Sequence, residues 1–101
     1  MNKYLEDLFS LENKVAIVTG GARGNGKAIS EALLSSGATV VIVDQLKNDL
    51  TETLKNFKKS DFNCYEFNCD VTNKHQILKL KNFIKNKFNR IDILINNAGF
   101  T

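Results

Sequence analysis

The sequence has no proline, only six glycines, two cysteines and a single histidine, His75. With no proline and so little glycine it is neither collagen-like nor low-complexity. Two thiols and one imidazole fall short of the four ligands a structural zinc site takes, and their spacing is not that of a finger, so no metal is expected. Cys64 and Cys69 stand five positions apart, an odd offset that places them on opposite faces of a strand running through both. Reduced thiols packed as small hydrophobes are expected rather than a disulfide. No apolar run approaches the ~20 residues needed to span a bilayer. Lys3, Glu6 and Asp7 fall where a signal peptide would be uninterruptedly apolar. The expectation is a cytoplasmic chain with no membrane partner.

What is present has the profile of one globular domain: 101 residues, 43% hydrophobic, 25% charged, net charge +3. A chain of this length buries one core and not two. The pI near 8.9 raises the question of nucleic acid, but the basic residues are scattered. Lys74, Lys79, Lys81, Lys85 and Lys87 interleave with Ile77, Leu80, Ile84 and Phe88 at helical spacing, which reads as a solvated helix face. No nucleic-acid partner is expected.

Residues 14–19 (KVAIVT) are β-branched and apolar, as in a strand buried on both faces, and stop at Gly20. Ala28, Ile29, Ala32, Leu33 and Ser36 then follow a helical period until Gly37 ends it. Residues 39–43 (TVVIV) form a second buried strand closed by Asp44, and Leu46, Leu50, Leu54 and Phe57 mark a second amphipathic helix. Residues 63–67 (NCYEF) suit a weaker third strand, residues 73–89 a third helix, and residues 91–95 (IDILI) a fourth strand. Strands alternating with helices of this length predict right-handed βαβ units on a parallel sheet, an α/β fold.

The chemistry concentrates between the first strand and the first helix, in Thr19-Gly20-Gly21-Ala22-Arg23-Gly24-Asn25-Gly26. The spacing is not G-x-G-x-x-G, since no glycine follows Gly26 through Lys27, Ala28 and Ile29. The physics is shared. Gly20 permits a sharp turn off the strand, Gly24 lets backbone approach a pyrophosphate, and Gly26 lets the helix pack close to the strand. Free N–H groups at the helix start face the phosphate. The plainer alternative is a glycine-rich βα turn without a ligand.

Asp44 ends the second strand 18 residues after Gly26, near the ~20 at which an acidic residue accepts from an adenosine ribose. A carboxylate there repels a 2′-phosphate and favours NAD over NADP. Arg23 pulls the other way, because a guanidinium beside the loop pairs with that phosphate. The carboxylate is weighed more heavily. The alternatives are a solvated helix cap for Asp44 and a solvent-facing loop charge for Arg23.

Thr19-Gly20-x-x-x-Gly24-x-Gly26, the terminal Asp44, Asp70-Val71, and Asn96-Asn97-Ala98-Gly99 after Ile91-Asp92-Ile93-Leu94-Ile95 resemble, in order and spacing, the amino-terminal half of the short-chain dehydrogenase/reductase family. The resemblance implies a doubly wound parallel sheet (Rossmann fold) in the order 3-2-1-4, ending after the fourth strand. Residues 1–101 would be a partial NAD(P)-binding domain with 1–13 as a lead-in. It implies further that Gly20, Arg23, Gly24, Asn25 and Gly26 hold the pyrophosphate and Asp44 the ribose. Asp70 and Val71 would lie along the adenine, and Asn97, Ala98 and Gly99 beneath the ribose and nicotinamide, with Asn96 tying the fourth strand to its neighbours. Asn-Asn-Ala-Gly also reads as an ordinary polar turn, and Asp70 as an N-cap for the third helix. Asn25 departs from the family, which usually has an apolar residue there.

Members of the family carry a catalytic Ser and a Tyr-x-x-x-Lys pair, the lysine lowering the pKa of the tyrosine that acts as general acid/base. The tyrosines here are Tyr4 and Tyr65, and four places on stand Leu8 and Cys69. No catalytic residue is therefore assigned. The resemblance implies the cofactor-binding half of an oxidoreductase whose homo-oligomeric parent moves hydride between nicotinamide and an alcohol or ketone. The other reading is a stand-alone nucleotide-binding or regulatory module.

Overall fold

The computed structural model describes residues 9–97. Along them run β1 (Val15–Thr19), α1 (Gly24–Ser35), β2 (Thr39–Asp44), α2 (Lys47–Lys59), β3 (Cys64–Asn68), α3 (Lys74–Lys87) and β4 (Ile93–Asn96). The strands make one sheet in the order β3-β2-β1-β4, and every pairing is parallel. This is the doubly wound order that the family resemblance implied. β1 is buried at every position and β2 at all but its first, because helices cover both faces of a parallel sheet and leave no polar side for alternation.

Each face has its own core. On one, Ala16, Val18, Val40 and Ile42 pack against Leu34 of α1 and Leu50, Leu54 and Phe57 of α2, with Cys64 among them. On the other, Ile17, Val41, Val43 and Cys69 pack against Leu80 and Ile84 of α3. The two cysteines, both free thiols, thus lie on opposite sides of the sheet. No helix of the described residues is long and apolar enough to cross a membrane.

Three local readings are corrected. In α1 the buried positions are Gly26, Ser30 and Leu34, whereas Ala28 and Ala32 face solvent. Alanine fits either face, and here the closest approach of helix to sheet is made by small residues. Ser30 satisfies its hydroxyl by donating to the Gly26 carbonyl at 2.9 Å. β4 begins at Ile93, two residues later than its composition suggested. Asp92 is diverted into a bracket around Val15, its N–H donating to the Val15 carbonyl at 2.9 Å while its Oδ2 accepts from the Val15 N–H at 2.8 Å. The N-cap of α3 is Asn73, whose side chain accepts from the N–H groups of His75 and Gln76. Asp70 is therefore free of that duty.

Among the described residues β4 pairs with β1 alone. Its outward face is apolar, with Leu94 63% and nearby Ile91 50% exposed. Together with Ile77, Leu80 and Ile84 of α3 these residues line a groove of ≈ 790 Å³, and Ile77, on the apolar stripe of α3, is exposed there.

Candidate functional site

A cleft of ≈ 410 Å³ sits at the carboxyl ends of the strands, lined by Gly20, Arg23, Gly24, Val43, Asp44, Gln45, Cys69, Asp70, Val71, Thr72 and Asn97. It lies where the order turns back at β1, with β2 on one side and β4 on the other. That topological switch point is where open α/β sheets bind ligands. Of the residues singled out in the sequence, Gly20, Arg23, Gly24, Asp44, Asp70, Val71 and Asn97 meet here. Asn25 and Gly26 do not line the cleft. Ala98 and Gly99 lie outside the described residues.

The loop that floors the cleft is shaped by its glycines in different ways. Gly24 has φ +54°, in the left-handed region, and a Cβ placed on it would meet nothing within 4 Å. Glycine is thus called for by the backbone conformation and not by crowding, at a residue that lines the cleft. Gly26 is the reverse case. A Cβ there would collide with the Gly20 carbonyl and come within 2.7 Å of the Asn97 amide nitrogen, so this glycine lets the start of α1 seat against the ends of β1 and β4. Gly21, not singled out from the sequence, is hemmed in as well, though less severely, its Cβ position lying 2.8 Å from Ile42 Cγ2 and 3.0 Å from the Val18 carbonyl. Arg23 caps α1 without a side-chain hydrogen bond, and the first turn holds no acidic residue. The leading N–H groups of the helix are left to an anion.

Asp44 is 6% exposed. Its Oδ2 accepts from the Ala22 N–H at 3.2 Å and its Oδ1 from the Leu46 N–H at 3.0 Å. This buried carboxylate is not a solvated cap. It links the loop after β1 to the start of α2, and two oxygens carry enough lone pairs to accept a ribose hydroxyl as well. Arg23 is exposed at the rim, but it does not stand free, for its Nε lies 3.5 Å from Asp49 Oδ2. Asp49 was not foreseen.

On the far wall Asp70 accepts from both the Thr72 hydroxyl (2.7 Å) and the Thr72 N–H (2.9 Å). The hydroxyl first, then the amide, hold its carboxyl below the usual carboxylate range. The Asp70 N–H donates to Gln76 Oε1 at 2.7 Å, which anchors the turn to α3. Asn97 donates through its N–H to Thr19 Oγ1 at 3.0 Å and through Nδ2 to the Gly20 carbonyl at 3.3 Å. Thr19 Oγ1 in turn lies 3.2 Å from Asn96 Oδ1, so Asn96 joins β4 to β1 through side chains, as the resemblance implied.

Comparison with known proteins agrees. Residues 14–101 match the short chain dehydrogenase family. Zerumbone synthase of Zingiber zerumbet is 38% identical over 91 residues, covering 90% of this chain and 34% of that protein. The crystal structure of 2-keto-3-deoxy-D-gluconate dehydrogenase from Streptococcus agalactiae superposes with a TM-score of 0.87 at 36% identity, over 100% of this chain and 38% of that one. L-Sorbose reductase from Gluconobacter frateurii, complexed with NADPH and L-sorbose, gives 0.85 at 30% identity, over 91% and 35%. The chain spans about a third of the length of the relatives it matches. Its sequence, its strand order and its likeness to these enzymes place the chain in the short-chain dehydrogenase/reductase family of oxidoreductases.

Proposed function

We propose that this chain is the NAD-binding half of an oxidoreductase that moves hydride between the nicotinamide ring and an alcohol or ketone. The observation that carries the reading is the convergence of Gly20, Arg23, Gly24, Asp44, Asp70, Val71 and Asn97, from four separate segments, on one cleft. In this reading Gly24 and the uncapped start of α1 hold the pyrophosphate, backed by Gly26, with Asn25 on the loop's outer side. The Asp44 carboxylate accepts from the adenosine ribose and repels a 2′-phosphate. Asp70 and Val71 border the adenine, with the Asp70 carboxylate accepting from its exocyclic amine, and Asn97 leads Ala98 and Gly99 under the nicotinamide side.

The dinucleotide, when bound, would supply hydride to a ketone or take it from an alcohol. The protein's own residues orient it, and none of them is assigned a proton transfer, because neither Tyr4 nor Tyr65 has a lysine four residues on. The proton donor and the substrate pocket belong to a longer parent, a soluble homo-oligomer in this reading. Titration calorimetry of the parent with NADH and NADPH tests the proposal. Binding of NADH with displacement by ADP supports it, and binding of neither dinucleotide removes it.

A further inference from the structure

The phosphate loop is gripped by a residue that touches no part of the cleft. The carbonyl of Ala22 accepts a 2.7 Å hydrogen bond from Thr53 Oγ1, and both groups are buried. Ala22's own N–H donates to Asp44. The two peptide planes that flank Ala22 are thus fixed from different elements, one by the end of β2 and the other by the middle of α2. Thr53 is 3% exposed and shares its face of α2 with Leu50, Leu54 and Phe57. A hydroxyl in such a face is costly unless paired, and valine would fill the same volume without it. Packing therefore does not account for threonine at this position. The hydroxyl does one thing that valine would not: it sets the direction of the Ala22 carbonyl, and with it the plane that leads through Arg23 into Gly24, where the cleft opens.

We infer that Thr53 is a positioning residue for pyrophosphate binding, acting through the Ala22 peptide. The inference rests on the dinucleotide reading above and adds to it that α2, which lies behind the loop, governs how well the loop is preorganised. Its signature is a loss confined to the phosphates. Adenosine, which spans only the Asp44 and Asp70 side of the cleft, is indifferent to the loop's peptide planes, whereas ADP is not.

Affinities of ADP and of adenosine are to be measured on the unsubstituted protein and on Thr53→Val and Thr53→Ser. Thr53→Val is expected to weaken ADP about ten-fold while leaving adenosine unchanged, and Thr53→Ser, which keeps the hydroxyl, to restore ADP. Should Thr53→Val not fold, Thr53→Ala removes the same donor without pressing a methyl on the carbonyl, and the same comparison is made on it. Unchanged ADP binding overturns the inference, as does an equal loss of ADP and adenosine, which would make Thr53 a stabilising residue only. An unsubstituted protein that binds neither probe removes the dinucleotide reading itself.

Discussion

Arg23 and Asp49 face each other across the rim of the cleft, Nε to Oδ2 at 3.5 Å, with 65% and 46% of their side chains exposed. The pair engages a cation beside the loop that would attract a 2′-phosphate, and in the proposed reading buried Asp44 would repel one. NAD(H) is therefore expected to bind more tightly than NADP(H). Asp44→Ser should narrow or reverse the gap, at some cost in affinity for both, since the Ala22 and Leu46 N–H groups lose their acceptor. Asp49→Asn should strengthen NADP(H) binding by only about two- to five-fold, the scale of an exposed ion pair. Competition titrations check all three, and tighter NADP(H) binding by the unsubstituted protein would falsify the preference.

The loop glycines separate binding from folding. Gly24→Val introduces backbone strain of about 1–2 kcal/mol at a positive φ and fills the open space before the cleft, so dinucleotide binding should vanish while a cooperative melt persists at lower temperature. Gly26→Ala drives a methyl into the Gly20 carbonyl and should lose both. Parallel calorimetry and thermal melts distinguish the two, and a Gly24→Val protein that still binds would reduce the loop to a turn.

Acid should weaken the bracket between β1 and β4. Arg90, by hydrogen bonding, and then the Val15 N–H hold the Asp92 carboxyl below its ordinary range, and Arg90 closes on it at 2.7 Å. A carboxyl with a lower pKa folded than unfolded adds stability above the unfolded value of about 3.9, and that stability is lost as pH falls through the folded value. Denaturant stability followed from pH 7 downward should drop more steeply for the unsubstituted protein than for Asp92→Asn, which keeps an acceptor for Val15 but does not titrate. Identical acid limbs would exclude Asp92 from this role.

Much of this architecture was legible in advance. Runs of valine and isoleucine marked β1 and β2, and a glycine or a cap separated each strand from its helix, so the element order followed from periodicity, while the 3-2-1-4 order of the sheet came from the resemblance to the family. The start of β4 was hidden because Ile91-Asp92 has a strand's composition while Asp92's side chain does a strand's hydrogen bonding for it. Asp49 and Thr53 were missed for different reasons. An exposed pair between residues 26 positions apart leaves no local pattern. Thr53 did leave one, a polar residue between Leu50 and Leu54 on an apolar face, and a buried hydroxyl of that kind signals a partner across the core.

The 101-residue polypeptide made by itself is expected to self-associate and to lack dehydrogenase activity. Leu94 and Ile91 expose an apolar face beside the edge of β4 that is unpaired among the described residues, and such edges recruit other strands. Leu94→Lys should reduce scattering at equal concentration without altering helix content, and supplying the remaining length of the protein should have the same effect. A monodisperse, cooperatively melting polypeptide that reduces a ketone with NADH would contradict both expectations.

The two cysteines turn the sheet into a partition with a reporter on each side. Both thiols are buried and burial pushes them above their ordinary pKa, so alkylation of each is expected to be slow until the layer over it loosens. Cys64 is uncovered when the layer formed by α1 and α2 loosens, Cys69 when α3 does. Their labelling rates, compared site by site in dilute denaturant, time the departure of each helical layer separately. Because Cys69 lines the cleft proposed for the dinucleotide, a bound nucleotide should slow that clock more than the one on the opposite face.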